Sequence, residues 1–151
     1  MSRASNLRRR HILQAFAALP LVAALPARAA ESLGFNELYG KVSVLGLSFS
    51  DKVKTLAGQR VTVNGFMAPP LKAEAQFFVL TEIPMALCPF CSSDADWPDN
   101  IIVVYLNERQ TFGPPGEPIS VTGALDMGSW TDPETGFVSR LRLRNASFQV
   151  G

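Results

Sequence analysis

Two eight-residue stretches of this chain, RVTVNGFM at 60–67 and PISVTGAL at 118–125, repeat one pattern: aliphatic, hydroxyl, Val, polar, Gly, any residue, aliphatic. Period-two alternation with β-branched enrichment predicts a strand in each. If Val61 and Val63 face a core, Gly65 shares their face, and Ile119, Val121 and Gly123 do the same in the second copy. Glycine at such a position permits the bulge or sharp coiling by which a small sheet curls onto itself.

Period-two segments at 76–82, 100–106, 119–126 and 138–149 join 60–67 to make five expected strands, the last bent near Asn145. Turn residues separate them: Pro69 and Pro70, a cysteine loop with Pro98, Gly113 to Gly116, and Asp132 to Gly136. In the third strand Ile101, Ile102, Val103 and Val104 run without alternation, which predicts a strand covered on both faces. Upstream, Ser50 suits an N-cap for a short helix through Leu56, and Gly58 suits its C-terminal stop. A further helical turn is expected around Phe35 to Tyr39. Five short strands with a glycine in the first and fourth resemble an OB-type barrel, here with a short preceding helix. The expected fold class is therefore mainly β, with a lead-in over 30–57 and an OB-like domain over 58–151.

The first 29 residues read as a cleavable signal peptide rather than as part of the fold. Arg8, Arg9 and Arg10 precede an apolar run from Ile12 to Leu25, too short to span a bilayer comfortably, and Ala27 and Ala29 supply the small residues a signal peptidase reads. Arg9-Arg10-His11-Ile12-Leu13 resembles a twin-arginine signal, which implies a bacterial protein exported folded to the periplasm. After Glu31 no stretch is long and apolar enough for a membrane span.

Loss of residues 1–29 removes five of the 14 basic residues and none of the 13 acidic ones, so nine face thirteen and the net charge becomes −4. That balance argues against a nucleic-acid partner, whose phosphates demand a basic surface. The single histidine, His11, leaves as well, so imidazole bases and histidine metal ligands are excluded from the mature chain. No paired-carboxylate, serine-triad or phosphate-loop pattern points to a hydrolase. Arg140, Arg142 and Arg144 alternate along the last strand; such a row reads as a solvated face, or else as a patch for an acidic partner.

The segment MALCPFCSSDADWPDN, 85–100, holds both cysteines, Cys88 and Cys91. At that spacing two sulfurs can close a small disulfide, bind one metal ion, or exchange electrons. An exported protein with an even cysteine count favours the disulfide, yet so short a loop yields only about one or two kcal/mol of stabilisation by extrapolation from longer loops. For a soft metal, zinc or copper, the two thiolates would be completed by carboxylates from Asp94, Asp96 or Asp99, or by the Met85 thioether. In a redox role Cys88 would be the attacking thiol and Cys91 the resolving one. All three uses stay open. Trp97 and Pro98 are expected to cover one end of the fold, with the aspartates solvated. Alternatively the segment GFMAPP, 65–70, forms a hydrophobic lip next to the loop, in which Met67 reads as core filler rather than a copper ligand.

Cys-Pro-Phe-Cys resembles the glutaredoxin active-site motif, but there the pair opens a helix after the first strand, whereas here it lies between the second and third of five strands. More broadly, VTVNGFMAPPLKAEAQFFVLTEIPMALCPFC, within 58–106, resembles small periplasmic proteins and lipoproteins of uncharacterised function, often encoded beside ABC transporter components, some linked to zinc supply. Their loop carries Cys-Ile-His where this chain has Cys88 followed by Pro89-Phe90-Cys91. The resemblance implies a non-enzymatic accessory role: a partner that is a metal ion or a periplasmic or membrane transporter component.

Overall fold

The computed structural model describes residues 29–40, 46–69, 76–85, 97–112 and 116–151. Six strands and one short α-helix follow in order: β1 Glu31–Ser32, α1 Asp51–Leu56, β2 Arg60–Met67, β3 Phe77–Thr81, β4 Ile101–Leu106, β5 Pro118–Thr131 and β6 Val138–Val150, with a 3-10 turn at Phe35–Glu37. All five expected strands are present. β3 and β4 are a residue or two shorter than expected, and β5 runs on to Thr131. β1 was not expected, because two residues carry no periodicity; it pairs parallel to Val61 and Thr62.

The two repeated segments are neighbours. β2 and β5 run antiparallel, with Val63 opposite Val121, Val61 opposite Gly123 and Gly65 opposite Ile119. β5 pairs with β6, β6 runs parallel to β4, β4 pairs with β3, and β3 meets the end of β2 through Phe66 and Met67. The pairings thus return to their starting strand, making the single sheet ring-like. Burial follows the alternation: Val61, Val63, Ile119, Val121, Leu125, Leu141 and Leu143 face the interior. Each such aliphatic side chain contributes roughly 1.5–3 kcal/mol by leaving water.

Curling brings backbones close where the glycines sit. A Cβ on Gly65 would lie 2.6 Å from the Thr81 carbonyl oxygen, and one on Gly123 would lie 2.8 Å from the Ala146 Cβ. Side chains at these points would push the strands apart, which accounts for both glycines. Opposite Gly123, β6 carries one extra residue: Thr122 pairs with Ser147 and Ala124 with Arg144, while on the other side Val104 pairs with Leu143 and Leu106 with Ala146. Asn145 absorbs that bulge with a φ of 47°, the bend foreseen in the sequence.

α1 forms where expected. The Ser50 hydroxyl accepts the Val53 amide at 3.1 Å and donates to the Glu37 carbonyl at 2.5 Å, so one side chain caps the helix and ties it to the preceding turn. Val53 and Leu56 point into the core, joined by Leu33, Phe35 and Leu38 of the N-terminal segment. Gly58, at φ 79°, ends the helix and delivers its amide to the Leu125 carbonyl, so the chain enters β2 already aligned with β5.

β3 and β4 are buried on both faces, as the unbroken apolar run at 101–104 predicts. On the inner side Phe78 meets Phe148 edge-on at 5.6 Å. On the outer side the long β5–β6 hairpin folds back, placing Phe137 5.7 Å from Phe77 and Trp130 5.3 Å from Tyr105. Among the described residues no helix is long and apolar enough to cross a membrane.

Candidate functional site

The cysteine loop leaves the sheet after β3 and re-enters it before β4. Cys88, Cys91, Asp94 and Asp96, the residues expected to hold a metal, lie outside the described residues. The described flanks show how the loop is held. At its start the Thr81 hydroxyl donates to the Phe66 carbonyl at 3.1 Å or the Ile83 carbonyl at 2.7 Å, tying the strand end to β2. The Glu82 amide donates to the Asn100 carbonyl at 3.1 Å, adding one rung beyond the β3–β4 ladder and drawing the two ends of the loop together.

At its far end Trp97 is 5% exposed, and its indole N–H donates to the Tyr39 hydroxyl at 2.6 Å. Tyr39 stacks on Phe49 at 5.5 Å between centroids, and the Arg140 guanidinium lies 5.5 Å over the Phe49 ring while donating to the Leu47 carbonyl at 2.9 Å. The loop exit is thereby tied through two aromatic rings to β6. Trp97 covers the core, as expected for this position. Of the 65–70 segment the described part ends at Pro69: Phe66 pairs with Thr81 at the end of β3, and Met67 is buried in the core, while its placement against the cysteine loop lies outside the described residues. Asp99 is exposed and Met85 half-buried, while Ile83 stands out at 58% exposure. Among the described residues no group of three or more His, Cys, Asp or Glu could hold a metal ion.

A second constellation lies on the outer face of β5 and β6, where the arginine row departs from the solvated face expected. Arg142 is only 3% exposed. Its Nε and Nη2 each lie 3.0 Å from Asp126 Oδ2, and its Nη1 donates to the carbonyls of Gly128 and Ser139 at 2.8 Å. Arg144 Nε shares the same Asp126 oxygen at 2.6 Å, and its guanidinium lies over Trp130 at 4.4 Å from the centroid. Burial pushes the Asp126 carboxyl up, but hydrogen bonds from Arg144 and Arg142 outweigh it and hold the group below the ordinary carboxylate range. The reason for the difference is tertiary. The β5–β6 hairpin sets Asp126 directly across from Arg142, and the bulge at Gly128, between Met127 and Trp130, accompanies the placing of Trp130 over the guanidiniums.

The same hairpin tip is fixed by Asp132, whose Oδ1 accepts the amides of Glu134 and Thr135 at 2.8 and 2.9 Å. Behind it the Tyr105 hydroxyl is buried without a hydrogen-bond partner in hydrogen-bonding geometry among the described residues. Burial, and then the Asp132 charge, push that phenol well above its usual range, so it stays neutral.

No family model matches the chain, and no curated protein matches it. A solved structure of a DUF3299 family protein from Pseudomonas aeruginosa PAO1 is similar, with a TM-score of 0.53, 13% identity, and coverage of 82% of this chain and 97% of that one. At that identity the likeness shows the fold alone.

Proposed function

We propose that the ring-like sheet is an OB-type barrel, exported to the periplasm, that acts as a binding or accessory protein through the Cys88-Pro89-Phe90-Cys91 loop. The pairing order supports the barrel reading. Omitting β1, the strands run first, second, third, fifth, fourth and back to the first. The partner is a soft metal ion, zinc or copper, held by Cys88 and Cys91 with Asp94 and Asp96 as candidate carboxylates, or else a periplasmic or membrane component of an ABC transporter.

The observation that carries this reading is that the flanks of the loop are fastened to rigid structure: Glu82 bonds across to Asn100, extending the β3–β4 ladder, and Trp97 bonds to Tyr39 at the exit. These anchors bracket Cys88 and Cys91 in the sequence. The Cys-x-x-Cys spacing itself suits two thiolates to one soft metal ion, in a two-coordinate or tetrahedral shell. The signal sequence supports the same reading, since cysteines that fold in a reducing cytoplasm can meet metal as thiolates before export.

Metal analysis with a free-thiol count, on protein recovered from the periplasm, tests this. Bound zinc or copper with two thiols released by chelation supports it. A metal-free pair that cycles at an oxidising potential assigns a thiol–disulfide role, and an inert disulfide leaves only a stapled interaction module.

A further inference from the structure

We infer that the outer face of β2, β5 and β6 is a binding site for an acidic saccharide, separate from the cysteine loop. Where β3 and β4 are covered on their outer side by the hairpin, the row across β2, β5 and β6 keeps some exposed surface: Arg60 is exposed, and Ala124 and Arg144 are half-buried. Ala124 faces outward at the centre of a row, with Arg60 its partner on β2 and Arg144 its partner on β6. The two arginines stand roughly 10 Å apart at the backbone, two strand spacings, so each side chain can reach an anion seated over the small alanine between them.

Both arginines have donors to spare. Arg60 is exposed and makes one long hydrogen bond, 3.4 Å to the Asn145 carbonyl, which leans it across the row toward β6. The Arg144 guanidinium lies over Trp130 at 4.4 Å and over Tyr105 at 5.6 Å, with its Nε on Asp126, and its terminal nitrogens have no hydrogen-bond partner among the described residues. Arg142 and Arg144 share the one carboxylate of Asp126, and Arg60 lines a cavity with Glu31, so three cations on this face meet two carboxylates in a chain whose expected mature charge is −4. A pre-oriented guanidinium beside a second one is suited to a carboxylate or phosphate.

The neighbouring outward row specifies more than an anion. Thr62 and Thr122 lie with hydroxyls 2.8 Å apart, and Thr122 is paired with Ser147, so three hydroxyls line up about 7 Å from the arginine row. One sugar unit spans that distance, with its acidic group on the arginines and its ring hydroxyls on the Thr and Ser side chains. A bare anion would use the first row only, and a neutral sugar only the second.

Isothermal titration calorimetry of the full mature chain against a galacturonic-acid trimer, a neutral galactose trimer, inorganic phosphate and a polyglutamate peptide tests the site. The acidic trimer is expected to bind, more weakly as salt rises, and R60Q to weaken it about tenfold or more. T122V is expected to lower affinity for the trimer. Arg60 is exposed, so R60Q remains informative even if R144Q disturbs the fold. Absence of binding, equal binding of the neutral trimer, an unchanged R60Q, an unchanged T122V, or phosphate or polyglutamate binding as tightly as the acidic trimer would overturn the assignment.

Discussion

The indole N–H of Trp97 and the hydroxyl of Tyr39 meet at 2.6 Å, joining the exit of the cysteine loop to a residue 58 positions earlier in the chain. Removing the acceptor in Y39F leaves a buried donor unpaired, which destabilises by about 1–3 kcal/mol. Urea unfolding is expected to show that loss without a change in slope. A midpoint equal to wild type would mean that the contact does not hold the loop.

The two interior glycines are expected to be intolerant of even one methyl group. G65A places its Cβ against the Thr81 carbonyl, a backbone atom that moves only if β2 and β3 separate. A loss of about 2 kcal/mol or more is expected, within the range for overpacked cores. Thermal unfolding of G65A and G123A, compared with wild type, measures it.

Asn145 supplies a conformation more than a contact, because its φ of 47° lies where most side chains are strained. N145A should therefore lose about 1 kcal/mol, whereas N145G should stay near wild type, its relief of strain offset by the greater freedom of its unfolded chain. Equal losses in both would assign the effect to the Asn side chain instead.

Replacing Asp126 leaves the guanidinium of Arg142 buried beside a second cation. D126N is expected to destabilise by about 3 kcal/mol, the low end for a broken buried pair, since Arg142 keeps its carbonyl partners. Because the folded Asp126 carboxyl sits below its unfolded value, its contribution is fully present above that unfolded value, near pH 3.9, and is lost as pH falls through the lower folded one. The D126N stability profile should accordingly lack that acid-side decline, which equilibrium unfolding at pH 2–6 would show.

Much of the strand framework was legible in the residues. The echo between 60–67 and 118–125 located two strands, their inward faces and both glycines, because alternation and the need for close backbone approach act locally. The Ser50 cap and the Gly58 stop were legible for the same reason: each is decided within one helical turn. The unbroken run at 101–104 announced burial on two sides but not what does the covering.

What covers it, the hairpin beyond Gly128, was decided only in three dimensions. So was the fate of the arginine row. Along the strand, Arg140, Arg142 and Arg144 are equivalent, yet one is buried on Asp126, one stacks on Trp130 and one lies over Phe49, because those partners come from elsewhere in the chain. Period and turn chemistry depend on neighbours in sequence, and the sequence by itself determined them. Charge pairing and stacking depend on which strands the ring brings side by side, and that only the tertiary structure could decide.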